Sequence, residues 1–211
     1  MNNLNIKKLN SLPDKLHSVL IGIMLGDGSI YRSSLTSNSR FEMSFGSEYK
    51  QFAESVGNLF RIFMNTPVKA IQIKGKNKIY INYRLKTTSL PVFNLYFDMF
   101  YKFNTDKGKF VKIVPHNILD LLNPVVLAYL IMTDGNFDKS RNRVRIFTNS
   151  YSKEDVERLA IAIKHNLGIY AGVLHDRKDQ WIITIGVKQL SLLREIVSPH
   201  FEPSMLYRIG L

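Results

Sequence analysis

Two apolar segments of this chain each run into Asp-Gly. They are Leu20-Ile21-Gly22-Ile23-Met24-Leu25-Gly26-Asp27-Gly28 and Leu127-Ala128-Tyr129-Leu130-Ile131-Met132-Thr133-Asp134-Gly135. About half of the 211-residue chain separates the two aspartates. A single apolar helix stopping at Asp-Gly is an ordinary C-terminal turn with glycine in the left-handed conformation. Two copies at half-length spacing point instead to a duplicated unit with paired carboxylates. Such a pair supports two chemistries. One is general acid–base work on a neutral substrate such as a sugar. The other is hard-cation binding, in which oxygen ligands hold Mg²⁺ (or Mn²⁺) against a phosphate.

Charge separates these chemistries. Lys and Arg number 29 against 17 Asp and Glu, a net charge of +12, and the pI is about 9.8. A basic globular protein of this kind meets a polyanion. Convergent aspartates would repel each other and that polyanion, and a divalent cation relieves both repulsions. The absence of cysteine excludes disulfides, thiolate zinc sites and cysteine nucleophiles. The five histidines, His17, His116, His165, His175 and His200, are scattered without metal-ligand spacing. No apolar run approaches the ~20 residues of a membrane span. No basic amphipathic helix with a wide apolar face suggests a membrane surface, and Met1 to Lys8 has no apolar signal-peptide core. A hydrophobic content of 45% supplies a core for a length that suits one or two domains.

The elements that would position the aspartates follow from periodicity. Four segments alternate with period two and read as half-buried antiparallel strands. They are Arg40 to Gly46, Lys78 to Lys86, Arg141 to Asn149 and Lys178 to Val187. Their expected core sides include Phe41, Met43 and Phe45; Ile79, Ile81, Tyr83 and Leu85; Val144 and Ile146; and Trp181, Ile183, Ile185 and Val187. Their wet sides carry side chains that reach phosphates and base edges. In the first half these are Arg40, Glu42, Ser44, Lys78, Tyr80, Asn82, Arg84 and Lys86. In the second they are Arg141, Arg143, Arg145, Asn149, Lys178, Gln180 and Thr184, with Lys139 just ahead of the strand as a further DNA-binding candidate. One such face is an ordinary solvated surface; several, in a chain of charge +12, favour nucleic acid.

Helical periodicity fills the gaps. Tyr49 to Phe63 puts Phe52, Val56, Leu59, Phe60 and Phe63 on one face. Ser152 suits the cap of a helix running to Asn166, with Gly168 as its stop. Leu90 to Phe100 and Gln189 to Val197 read as shorter helices. Each half therefore has the order motif helix, strand, strand, helix, strand, strand, helix. The halves are residues 1–106 and 124–211, joined by 107–123, which has no repeat of its own. The expected fold is α+β, two pseudo-symmetric αββαββα units about a twofold. The motif helices are the natural contact, with Gly22 and Ala128 permitting close approach and bringing the Asp27 and Asp134 ends together.

Both motif segments resemble the signature of the LAGLIDADG homing endonuclease family in its single-chain, two-motif form. Leu25 and Met132 stand at the family's first acidic position, and Tyr129 replaces a family glycine; the later acidic position is intact in both copies. Lys112-Ile113-Val114-Pro115, Leu121-Leu122-Asn123-Pro124, Phe147-Thr148-Asn149-Ser150-Tyr151 and Pro203-Ser204-Met205-Leu206-Tyr207-Arg208 extend the likeness from about Leu16 to Ile209. The resemblance implies that Asp27 and Asp134 bind divalent metal with help from the carbonyls of Gly26 and Thr133. Lys112 and Arg208 match basic positions near the cleavage centre. Arginine at 208 suits charge stabilisation but not general-base work, because it stays protonated.

The resemblance also implies antiparallel sheets forming a saddle in the DNA major groove, cleavage across the minor groove, and 3′ overhangs. Two half-sheets covering about one turn each imply a non-palindromic site of ~20 bp, cut by a monomer with no obligate protein partner. Richness in Asn, Ile, Lys and Tyr fits a mobile intron of an A+T-rich mitochondrial or other organellar genome. Two alternatives stand beside the nuclease. One is a maturase that binds its own intron RNA, which a basic patch away from the sheets would favour. The other is a non-cleaving DNA-binding regulator of the same fold, which loss of an aspartate would have favoured.

Overall fold

The computed structural model describes residues 9–75 and 78–211; Met1 to Lys8, read above for a signal core, and Lys76-Asn77 lie outside the described residues. The first repeat runs α1 (Asp14–Leu25), β1 (Ser29–Tyr31), β2 (Arg40–Gly46), α2 (Lys50–Leu59), β3 (Lys69–Lys74), β4 (Ile79–Lys86) and α3 (Asn94–Phe100). A hairpin of β5 (Tyr101–Asn104) and β6 (Lys109–Lys112) and a short helix α4 (Ile118–Leu121) come next. The second repeat runs α5 (Pro124–Asp134), β7 (Gly135–Asp138), β8 (Arg143–Ile146), α6 (Lys153–Leu167), β9 (Gly172–His175), β10 (Trp181–Ile185) and α7 (Leu190–Val197). Both repeats keep the expected αββαββα order. Their antiparallel sheets have the same topology, β1-β2-β4-β3 and β7-β8-β10-β9.

Packing divides the chain into two compact units, residues 1–16 with 27–98 and residues 17–26 with 99–211. In the first, Phe41, Met43 and Phe45 of β2 are buried while the alternate residues face out. An aromatic core follows: Phe41 packs on Phe60 with centroids 4.9 Å apart, Phe45 on Phe52 at 5.6 Å and Phe63 on Phe93 at 5.7 Å. Tilted and edge-on pairs of this kind add to the area they bury. In the second, Val19, Leu20, Ile21, Ile23 and Met24 of α1 are fully buried, as are Val126 to Ala128 and Leu130 to Met132 of α5. Helices apolar on every side must be surrounded by protein. Helix α6 begins and ends as expected: Ser152 Oγ accepts the Asp155 N–H at 3.2 Å and Gly168 is left-handed at φ 68°. Among the described residues no helix is long and apolar enough to cross a membrane.

Local turn chemistry corrects several expected strands. The segment Arg141 to Asn149 is strand only over Arg143–Ile146. Asn142 is left-handed at φ 45°. Asp138 Oδ1 accepts from Ser140 Oγ at 2.7 Å and from the Arg141 N–H at 3.3 Å, so 139–142 form the hairpin turn. Likewise Lys178 to Val187 contracts to Trp181–Ile185. Lys178 is left-handed at φ 49°, and the Arg177 carbonyl accepts the Gln180 N–H at 3.0 Å, closing the turn. Val187, expected in the core, starts a 3₁₀ turn and is exposed. Ile79 and Ile81 are also exposed, because the β3–β4 hairpin extends past the core that covers Leu85. The helix expected from Tyr49 to Phe63 is α2 flanked by 3₁₀ turns at Ser47–Tyr49 and Arg61–Phe63.

Candidate metal centre and nucleic-acid interface

The motif helices meet in the second unit. Asn123 caps α5, its Oδ1 accepting the Val126 N–H at 3.0 Å, and its Nδ2 donates to Ser18 Oγ of α1 at 2.9 Å. Pro124 takes the first helical position, where no backbone N–H is needed. A Cβ added to Gly22 would lie 2.5 Å from the Val126 carbonyl oxygen and 2.7 Å from Tyr129 Cβ, so the backbones approach as closely as glycine allows. One turn on, a Cβ added to Gly26 would overlap Thr133 Oγ1 and Asp134 Oδ2. The end of the first motif thus lies against the acidic end of the second, and Asp27 is the next residue in the chain. Neither Gly28 nor Gly135 is left-handed; Gly135, at φ −82°, passes straight into β7. The ordinary glycine turn therefore explains neither copy.

Carbonyls left over at the two helix ends need donors, and three side chains supply them. Lys112 Nζ, at the end of β6, donates to the Gly26 carbonyl at 2.5 Å. Arg208, from the 3₁₀ segment Pro203–Ile209, donates to the Gly135 carbonyl. Tyr151 Oη donates to the Leu25 carbonyl at 2.9 Å. Burial, and then the charge of Asp134, push the Tyr151 phenol far above its ordinary value, so it remains a neutral donor. The fold thus gathers Asp134, Thr133, Gly26, Lys112 and Arg208 about the two motif ends. The set offers oxygen donors suited to a hard cation, and the Gly26 carbonyl keeps a second lone pair beyond its bond to Lys112. Among the described residues no three His, Cys, Asp or Glu side chains cluster. A cation here would complete its shell with backbone, water or phosphate oxygens.

Asp27 itself belongs to the first unit. There it borders an open cavity of about 450 Å³ with Ser29, Glu42, Ser44, Ile71 and Arg84, on the wet side of the first sheet. The register pairs Glu42 with Lys86, Ser44 with Arg84 and Gly46 with Asn82, so these residues share one face. Glu42 is its hub, bonded to Arg40 and to Arg84 at 3.2 Å, with Lys86 at 3.9 Å. Burial raises the Glu42 pKa, but hydrogen bonds and charge from Arg40 and Arg84 outweigh it and hold the group below the ordinary value. Arg40 also stacks on Tyr31 at 4.1 Å. Lys78 precedes β4, its ammonium 5.7 Å from the ring of Tyr80.

In the second sheet Arg145 pairs with Asn136 and Thr184, and Arg143 with Asp138, again on one face. Arg143 is bonded to Asp138 at 3.2 Å and Arg145 to Asn136 at 3.2 Å. Lys139, Arg141, Asn149, Lys178 and Gln180 lie in turns and loops rather than on the sheet. Asn149 Nδ2 donates to Asp176 Oδ2 at 2.9 Å and Gln180 Oε1 at 3.2 Å, tying those loops together. Sequence reasoning missed Ile71, Asn136, Asp138 and Tyr151. The Asp138-Lys139-Ser140 turn signal could have exposed Asp138. The strand at Ile71 showed too short an alternation, and Tyr151 depends on a partner more than 120 residues away, the Leu25 carbonyl.

Fold and site define the class: a duplicated α+β scaffold with one aspartate at the end of each motif segment. Residues 17–193 match the LAGLIDADG DNA endonuclease family, and the chain belongs to it. Across its full length it is similar to the cytochrome b mRNA maturase bI2 of Saccharomyces cerevisiae, 28% identical over 216 residues, and it spans about half (50%) of that relative. It is 25% identical over 210 residues to the DNA endonuclease I-ChuI of Chlamydomonas applanata, covering 95% of this chain and 96% of the relative. Its fold matches that of the homing endonuclease I-WcaI bound to its DNA recognition sequence, with a TM-score of 0.84 at 21% identity over 98% of this chain and 91% of that one.

Proposed function

We propose that the chain is a site-specific DNA endonuclease, intron-encoded, that hydrolyses both strands of a long non-palindromic duplex with Mg²⁺ or Mn²⁺. The observation that carries this reading is the seating of Gly26 against Thr133 and Asp134, with Asp27 next in the chain. Each repeat half, 1–106 and 124–211, contributes one aspartate. Asp27 and Asp134 would hold the metal together with the carbonyls of Gly26 and Thr133. The ion, when bound, supplies an activated water and charge neutralisation at the phosphate. Lys112, bonded to the Gly26 carbonyl, and Arg208, bonded to the Gly135 carbonyl, place fixed positive charge at the motif ends and stabilise the negative charge that builds on phosphate oxygens. The wet faces differ: Ser44, Asn82 and Arg84 in one sheet, Arg143, Arg145 and Thr184 in the other. Their difference supports a non-palindromic site, read by a monomer. Composition and the likeness to a relative named for a cytochrome b mRNA support an intron origin and an A+T-rich organellar host.

The test is selection of cleaved products from a randomised duplex library with Mg²⁺. One long asymmetric site is expected; no cleaved sequence in Mg²⁺ or Mn²⁺ would overturn the nuclease reading. A second reading, intron RNA binding, is supported by the β5–β6 hairpin. It pairs with neither four-stranded sheet and carries Lys102, Lys107 and Lys109. Its cross-strand pair Phe103 and Phe110 is exposed, with ring centroids 5.4 Å apart. Exposed rings suit unpaired bases, and Lys102 and Lys109, which alternate with them along the strands, add positive charge on the other side of the same ribbon. Binding of the host intron RNA, measured beside DNA cleavage, separates the two activities.

A further inference from the structure

We propose that an apolar patch on the wet face of the first sheet, Ile71 and Ile73 with the ring of Tyr80, reads thymine methyl groups in the DNA major groove. This rests on the nuclease reading and names how one part of the site is recognised. The register decides the face. Lys69 pairs with Arg84, Ile71 with Asn82 and Ile73 with Tyr80. Directly opposed residues point to the same side of a sheet, and Arg84 also pairs with Ser44. Ile71 and Ile73 therefore stand among the polar residues assigned to DNA, on the side away from the aromatic core. Ile73 is 42% and Tyr80 51% exposed, and Ile71 borders the cavity that Asp27, Ser44 and Arg84 line.

The second sheet has a smaller counterpart on the equivalent strands. Leu174, 42% exposed, pairs with Ile182 on the face of Thr184 and Arg145, but Ile182 is buried, so Leu174 alone offers apolar surface there. A contiguous apolar patch on a polar face marks a binding surface. Its occupant is identified by its surroundings. Lys69 and Arg84 flank it, and Lys78 lies against the Tyr80 ring, so the partner is anionic overall and apolar at a point. On the base edges of the major groove, the methyl of thymine is the group that apolar side chains contact.

The experiment uses the duplex recovered by selection, with binding measured in Ca²⁺ to hold cleavage off. Each thymine is replaced in turn by deoxyuridine, which removes the methyl and leaves the hydrogen-bonding edge unchanged. The wild-type protein should lose about fourfold in affinity for each contacted methyl, as for one buried methylene. The doubly substituted Ile71→Ala, Ile73→Ala protein should bind thymine and uracil duplexes equally at those positions. Wild-type binding indifferent to every uracil overturns the inference without touching the nuclease reading. So does thymine preference that survives the double substitution. Loss of self-association in the variant, with thymine preference intact, would assign the patch to a second copy of the chain and overturn it as well. A protein that selects no duplex at all removes the nuclease reading, and this inference with it.

Discussion

Asp27 and Asp134 differ from other surface carboxylates in being held at motif ends where backbone carbonyls are already bonded to Lys112, Arg208 and Tyr151. Asn is nearly isosteric with Asp but carries no charge. Asp27→Asn or Asp134→Asn should therefore abolish double-strand cleavage while leaving duplex affinity within about tenfold, since most of that affinity comes from phosphate contacts. Plasmid linearisation and filter binding read the two quantities, and full cleavage by either variant in Mg²⁺ would end the metal assignment. Asp138 carries a separate, pH-dependent contribution. The Ser140 hydroxyl first, and then, against burial, Arg143, the Arg141 N–H and the charge of Arg145, lower its pKa from 3.8 to about 2. A lowered folded-state value stabilises the protein above the unfolded value, and the effect disappears as pH falls through the folded one. Its contribution should thus be complete above about pH 4 and gone near pH 2. In acid denaturation, Asp138→Asn should flatten the wild-type slope between those limits; an unchanged slope would show that the turn does not titrate this way.

At the scale of elements, the contact of α1 with α5 decides whether the motif ends meet at all. Gly22 seats the Val126 carbonyl at what would be 2.5 Å from a Cβ, a backbone atom that cannot turn aside as a side chain can. Gly22→Val should cost roughly 1–3 kcal/mol of stability through overpacking. Because it separates the helices, it should also lower cleavage more than DNA binding. Thermal unfolding and cleavage at a temperature where the variant remains folded test this, and a variant as stable and active as wild type would show that the helices do not need the glycine. The sheets work differently. Their outward arginines are tied to Glu42, Asp138 and Asn136, so these faces hold their shape through side-chain pairs formed within each sheet.

For the whole molecule, duplication sets the stoichiometry. One chain carries two motif segments, and each motif helix can make one such glycine-to-backbone contact. The protein should be a monomer in solution and bind one duplex as a monomer. Light scattering of the free protein and of its complex measures this. An obligate complex of two proteins on one duplex would mean that each chain reads a half-site, and the pairing of Asp27 with Asp134 would have to be abandoned. Net charge of +12 adds that binding should weaken steeply with salt, through counterion release.

The order of elements, the repeat and the pairing of Asp27 with Asp134 as candidates were legible in the sequence, while Lys112 and Arg208 entered only through the family resemblance. The first three rest on local signals: period-two strands such as Arg40–Gly46, the Ser152 cap and Gly168 stop of α6, and a motif that occurs twice. Strand limits were less legible. Side-chain bonds in the Asp138 turn and left-handed residues at 142 and 178 compete with the ladder, and alternation does not report them. Core sides also failed where cover ran out, as at Ile79 and Val187, because periodicity shows which residues share a face but not whether anything packs on it. Only the tertiary structure seated Gly26 against Asp134, brought Tyr151 to the Leu25 carbonyl, and put Ile71 and Ile73 among the polar residues of β4. Those relations join residues far apart in the chain, and they are set by register and packing.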